Sequence, residues 1–289
     1  MPTKIEKDSV TGQNTTGHEW DGIKELNTPL PTWWLYILYA TVLWSIGQFV
    51  LYPSIPGVRT YFSGVLGYSA REELVQKMQT AAEQRAPFLD RIRQASLADI
   101  RKTPELLGYA VAGGRVAFAE NCAGCHQSGG AGAKGYPSLA DDEWRWGGDL
   151  AQIERSIRYG IRSAHADSRT SLMPRFGLDG VLERDKIDDA AEFVLSLSGR
   201  ATNADAAKRG ATVYAENCAA CHGNTGAGQR ELGAPSLADG IWVHGGDKAS
   251  IVKVIVESRN GVMPAWTDRL DSAVIKMLTV YVHALGGGE

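Results

Sequence analysis

Cysteine is scarce in this chain and confined. Of 289 residues only four are cysteine, and Cys122, Cys125, Cys218 and Cys221 all fall inside two short stretches. None is left over for a structural disulfide elsewhere. A surplus of either charge is also missing. Thirty basic against 33 acidic side chains give a net charge of -3, with no long run of one sign, which excludes a strongly basic nucleic-acid binder and predicts no nucleic-acid partner. No cluster of copper ligands occurs in the sequence. With 44% hydrophobic and 22% charged residues, the composition is that of a folded chain, not a disordered one.

One segment lacks charge altogether. Residues 33–52, WWLYILYATVLWSIGQFVLY, carry none, and twenty residues of helix rise about 30 Å, the thickness of a bilayer's hydrocarbon core. Trp33, Trp34, Tyr36 and Tyr39 near one end and Tyr52 at the other read as interfacial anchors. The segment lies too far into the chain and runs too long for an ordinary cleaved signal peptide, and YPSIPG follows it, with no small-residue cleavage site. The expectation is an uncleaved transmembrane anchor in contact with lipid, with Thr41, Ser45 and Gln48 offering hydrogen bonds to a neighbouring helix. Lys24 on one side against Arg59 and Arg71 on the other leaves the orientation undecided by charge. Residues 1–32 read as a short polar tail. Residues 53–103 read as a connector with helices of its own, one capped by Ser69 and interrupted near Pro87, and the next segment capped by Thr103 with Pro104 in its first turn.

The remainder is a duplication. GRVAFAENCAGCH answers GATVYAENCAACH at an offset of 96, GYPSLADDEWRWGGD answers GAPSLADGIWVHGGD at 98, and LMPRF answers VMPAW at 90, so the first copy carries eight extra residues around SAHADSRT. Each copy closes with a helical stretch, 182–197 and 271–285. Gly114 with Phe118, and Gly210 with Tyr214, predict close helix crossings opposed by the aromatic rings of Phe193 and Tyr281. The domains expected are 104–200 and 201–289.

Each copy carries C-x-x-C-H, the attachment signature of a c-type haem. Two cysteines three apart on a helical turn reach the two vinyl groups of one porphyrin, and the next histidine swings beneath the ring to ligate iron. A zinc site would need four ligands per copy, and a redox dithiol would need a βαβ setting; neither is present. The metal-ligating histidines are therefore His126 and His222. Met173 and Met263, at equivalent places in M-P turns, are the sixth ligands this pattern suggests, since a thioether opposite imidazole favours electron transfer. His165, in the unmatched insertion, is the alternative to Met173. His244 and His283 lie outside the repeated pattern and read as structural or surface residues. Pro137 and Pro235 are either turn formers or carbonyl acceptors for the two imidazoles. Trp144 and Trp242 are expected to pack at the haem edges.

These residues, with HEWDGIKELNTPLPTWW, the apolar span and YPSIPG…GVLGYSAREEL, resemble the dihaem subunit III (FixP or CcoP) family of cbb3-type cytochrome c oxidases. The resemblance implies a mainly α fold, one N-terminal transmembrane helix followed by two tandem class I-like cytochrome c domains. It implies two covalently bound haem c groups, one held by Cys122, Cys125 and His126 with Met173, the other by Cys218, Cys221 and His222 with Met263. It further implies an electron-transfer subunit without an active site of its own, set in the bacterial inner membrane. Because haem c is attached outside that membrane, the tail would be cytoplasmic and the haem domains periplasmic. Its partners would be the haem–copper catalytic subunit, a monohaem cytochrome c subunit and a soluble or membrane-bound cytochrome c donor, or a cytochrome bc complex. The alternative is a membrane-anchored dihaem carrier serving another reductase or a periplasmic dehydrogenase. A dihaem peroxidase or a gas sensor would need an open coordination site.

Overall fold

The charge-free segment forms one unbroken helix, α1 (Thr32–Leu51), with none of its side chains buried, in a computed structural model that describes residues 4–288. The chain divides into two compact units, Met1–Ala82 and Glu83–Glu289.

In the first unit, the segment expected to be a plain tail contains a hairpin of β1 (Thr15–Trp20) and β2 (Ile23–Leu26), pairing Glu19 with Lys24 and Trp20 with Ile23. Asp-Gly at its tip supplies the two positive φ angles that a tight hairpin turn demands, 49° at Asp21 and 85° at Gly22. In α1, the Thr41 hydroxyl donates to the Leu38 carbonyl at 2.9 Å and the Ser45 hydroxyl to the Thr41 carbonyl at 2.8 Å. Both protons are thus spent within the helix, and of the three polar residues only Gln48 keeps its donors for a neighbour among the described residues.

The long helix α2 (Ala70–Gln94) begins where expected, with the Ser69 hydroxyl accepting from the Glu72 N–H, but it passes through Pro87 without a break. Proline inside a helix costs about 3 kcal/mol. Packing just beyond it outweighs that cost: Phe88 stacks on Tyr109 with ring centroids 4.7 Å apart, and Leu89 and fully buried Ile92 join Ile100, Leu106 and Met277. Next come α3 (Leu97–Lys102), capped by Ser96, and α4 (Pro104–Asn121). The Thr103 side chain makes no cap bond; Pro104 in the first turn starts α4 without it.

The two repeats fold into α4, α5 (Ala123–His126) and α6 (Leu150–Tyr159), then α7 (Arg184–Leu197), then α8 (Ala204–Asn217), α9 (Ala219–His222), α10 (Lys248–Glu257) and α11 (Ser272–His283). Their packing does not follow the order of the repeats. Helix α4 of the first copy crosses α11 of the second, whereas α7 of the first crosses α8 of the second. A Cβ at Gly114 would collide with the Met277 carbonyl, and one at Gly210 with the Asp189 carbonyl, so both crossings need glycine. Phe118 accordingly meets Tyr281, at 5.4 Å between centroids, and Tyr214 meets Phe193 at 4.8 Å.

The sequential division into 104–200 and 201–289 is therefore a division of sequence and not of packing. One core holds Ile187, Val194, Tyr214, Ile251 and Ile255; the other holds Phe118, Ile153, Ile157, Ile275 and Leu278. The first is built from contiguous chain, with its closing helix α7 placed before α8. The second is split around it. The reason lies in residues 198–203. A connection this short makes α7 and α8 antiparallel neighbours, and buried Glu192 locks it: its carboxylate accepts from the Thr202 N–H (2.8 Å), the Thr202 hydroxyl (2.7 Å) and the Asn203 N–H (3.2 Å), and pairs with Lys248 at 3.0 Å. With α7 held there, the face of α4 is covered by α11.

Candidate haem sites

Each C-x-x-C-H stretch is a single helical turn, α5 or α9, entered from a long helix that ends at Cys122 or Cys218. In both, the next residue has positive φ, 63° at Gln127 and 76° at Gly223, and the chain reverses. The reversed loop brings a proline carbonyl back to the histidine: Nδ1 of His126 lies 3.0 Å from the Pro137 oxygen, and Nδ1 of His222 lies 3.0 Å from that of Pro235. A carbonyl only accepts, so Nδ1 carries the proton, and Nε2 keeps its lone pair for a metal. Burial lowers the pKa of both imidazoles against the opposing pull of those carbonyls, which keeps them in the neutral ligating form. Of the two readings open for Pro137 and Pro235, the geometry supports the acceptor.

No two of the four cysteines are joined in a disulfide. Burial, followed by the charge of the neighbouring cysteine, pushes Cys122 and Cys218 up to about 11, the opposite of the lowered pKa that a redox dithiol needs. Among the described residues no three of His, Cys, Asp and Glu gather into a metal cage, so the zinc alternative has no donor set. Each histidine instead stands beside an apolar core with a methionine in it.

The methionines are exchanged relative to the sequence expectation. Met263 packs into the core that holds Cys122, Ala123 and Trp144, and Met173 into the core that holds Cys218, Ala219 and Trp242. The two methionine loops also cross. Ile161, at the end of α6, exchanges two backbone hydrogen bonds with Met263, each 3.0 Å. Beyond α10, the Asn260 side chain accepts from the Met173 N–H and donates to its carbonyl, both at 3.1 Å, and the Ser258 hydroxyl donates to the same carbonyl at 2.7 Å. Phe176 and Trp266, each three residues past its methionine, are buried in the same two cores.

His165 stays within its own loop, its Nδ1 accepting from the Asp167 N–H at 3.0 Å and its ring 4.9 Å from that of Tyr159. Trp144 and Trp242 do lie in the two cores, but they differ. Trp144 Nε1 donates to the Gly287 carbonyl, whereas Trp242 Nε1 is buried without a partner, as is His244 Nδ1. His244 is thus half-buried, with Nδ1 turned inward. The donor sets fit two c-type haems: paired thiols for the vinyl groups, a neutral imidazole, a thioether in the same apolar core, and at one site an indole N–H with nothing else to bind. The interlocked packing and the Asn260 clamp were not legible in the sequence, because both depend on contacts between copies.

Comparison with known proteins reaches both the N-terminal segment and the two repeats. The family described as "Cytochrome C oxidase, cbb3-type, subunit III" matches residues 110–194 and 205–282, and the "N-terminal domain of cytochrome oxidase-cbb3, FixP" matches residues 12–59. A cbb3-type cytochrome c oxidase subunit CcoP from Azospirillum brasilense is 53% identical over 98% of this chain and 99% of its own. The corresponding FixP subunits are 52% identical in Azorhizobium caulinodans, over 98% of this chain and 96% of that one, and 50% identical in Bradyrhizobium diazoefficiens, over the whole of both.

Proposed function

This chain belongs to the subunit III family of cbb3-type cytochrome c oxidases, and from that premise we propose how its residues carry electrons and with whom. It is a membrane-anchored electron-transfer subunit with two haem c groups, mainly α-helical, with one apolar N-terminal helix. The observation that carries the oxidase reading is the match over residues 12–59, because C-x-x-C-H motifs alone serve many unrelated carriers.

Haem iron, when bound, supplies one-electron chemistry between its ferric and ferrous states. The chain does the rest. Cys122 and Cys125, and Cys218 and Cys221, fix each porphyrin through thioethers. His126 and His222 present Nε2, oriented through the Pro137 and Pro235 carbonyls. Met263 completes the first site and Met173 the second, each held by a loop tied to the other copy. The packed cores of Phe118, Ile157 and Leu278, and of Tyr214, Ile255 and Val194, exclude water and leave the donor set little freedom to rearrange between oxidation states.

The partners are the haem–copper catalytic subunit and the monohaem cytochrome c subunit of the oxidase, with a cytochrome c or a cytochrome bc complex as donor. The helix 32–51 sits in the bacterial inner membrane, residues before it in the cytoplasm and the haem region in the periplasm, the side on which haem c is attached. A native gel of gently solubilised membranes, stained for haem and for cytochrome c oxidation, tests this. The chain should travel in an active band with a large polytopic haem–copper subunit. Migration alone, or with a dehydrogenase, would replace the oxidase reading with that of a free-standing carrier.

A further inference from the structure

The two repeats do more than exchange their closing helices. Each also lays its tryptophan loop on the proline loop of the other, and the two contacts differ in chemistry. From the first repeat, the Glu143 carboxylate accepts from the Ser236 N–H at 3.2 Å, one residue beyond the Pro235 carbonyl that holds His222. Trp146 packs closely against Gly233, where a Cβ would collide with the indole. From the second repeat, the matching contact is uncharged and made by backbone alone: the Val243 carbonyl accepts from the Gly135 N–H at 2.8 Å.

Between these contacts lies a cavity of about 350 Å³ whose lining includes Arg145, Glu143, Lys134, Trp242 and Pro137. Arg145 is half-buried there. Burial lowers its pKa while Glu143 and Asp141 attract it, yet unlike Arg93 and Arg158 it closes no ion pair among the described residues. Its chain neighbours Glu143 and Trp146 rest on Ser236 and Gly233 of the second site's proline loop, and it shares the cavity with Trp242, which packs in the core that holds Cys218. The aligned position in the second repeat is Val243, so the first site receives no such cation in return. The same asymmetry holds for the indoles, Trp144 Nε1 being satisfied and Trp242 Nε1 open.

We infer that Arg145, though carried by the first repeat, is a positioning residue for the haem held at Cys218 and Cys221: it faces that haem's carboxylates together with Trp242 Nε1 and raises its potential relative to the other. A cation beside a haem favours the ferrous form, which carries one positive charge fewer, and a partly dry site screens that attraction weakly. Electrons entering the chain therefore settle preferentially on the second haem. This rests on the dihaem reading, and the two can fail separately.

The test is a redox titration, followed by absorption, of the purified full-length holoprotein in detergent. A haem-stained denaturing gel first establishes that two haems are attached; without them the dihaem reading fails and the inference with it. With two haems present, Arg145→Gln should lower one midpoint selectively, by an amount equivalent to about a tenfold loss in the equilibrium constant for sharing an electron between the haems, or 59 mV for one electron. Arg145→Lys should restore most of it. Repeating the titration in a Met173→His background, which displaces the spectrum of the second haem, identifies the one affected. Val243→Arg provides an independent arm and should raise the midpoint of the first haem, narrowing the gap. Unchanged midpoints, equal shifts of both, or a shift confined to the first haem would overturn the inference.

Discussion

Phe118 and Tyr281 pack ring against ring at 5.4 Å between centroids, although one belongs to the opening helix of the first repeat and the other to the closing helix of the second. The contact shows in one pair what the whole haem region does. Each of the two cores takes its C-x-x-C-H from one copy and its methionine and closing helix from the other.

The exchange can be read in the ligands. Met263→Ala should open the sixth position of the haem attached at Cys122 and Cys125. In a Cys218→Ser/Cys221→Ser chain, which retains only that haem, the ferrous protein should bind carbon monoxide and the ferric protein should lose the absorption of a methionine-ligated iron. In the complementary Cys122→Ser/Cys125→Ser chain the same change should leave the spectrum intact. The reverse pattern would mean that each copy keeps its own methionine.

The Asn260 clamp on Met173 offers a milder lesion. Asn260→Ala removes two hydrogen bonds to the Met173 backbone; the carbonyl keeps the Ser258 hydroxyl, and the N–H is left unsatisfied, at a cost of about 1–3 kcal/mol when buried. The ligand loop should loosen without unfolding. The expected signature is slow, partial carbon monoxide binding by the second haem, with the first unaffected.

Glycine at the helix crossings is a steric requirement, and one position at each crossing makes an internal control. Gly210→Ala would drive a Cβ into the Asp189 backbone carbonyl, so α7 and α8 must separate, at a cost of at least about 1–3 kcal/mol. Gly113→Ala meets only the flexible Met277 side chain, with Sδ at 2.7 Å and Cε at 3.3 Å. There the gain of about 1 kcal/mol in helix propensity should largely cancel the cost. Thermal unfolding of the holoproteins should rank Gly210→Ala well below Gly113→Ala, with the latter near wild type.

Acid should attack the linker between the repeats. Burial alone would raise the pKa of Glu192, but the Thr202 hydroxyl, Lys248 and the N–H groups of Thr202 and Asn203 outweigh it and hold the carboxyl at about 2, below the ordinary value of 4.5. A carboxyl lowered in the folded state contributes stability above its unfolded pKa and loses it as pH falls toward the folded one. Stability measured by urea unfolding should therefore decline between about pH 5 and pH 2, and Glu192→Gln should flatten that part of the profile while lowering stability at pH 7.

The chemistry of this protein was written in its sequence because each element of it is local. C-x-x-C-H spans one helical turn and Met-Pro one loop, and the charge-free run of twenty residues needs only its own composition to form α1. Even the overlooked hairpin had its signal in Asp21-Gly22. The pairing of the copies was not local. Two similar repeats offer two similar faces for each closing helix, so hydrophobic pattern alone cannot choose between them. The choice was made by residues 198–203, too short to let α7 leave α8, and by Glu192, whose four partners pin that connection. Sequence determined that there would be two C-x-x-C-H turns and two Met-Pro loops. Tertiary packing decided which methionine shares a core with which C-x-x-C-H turn.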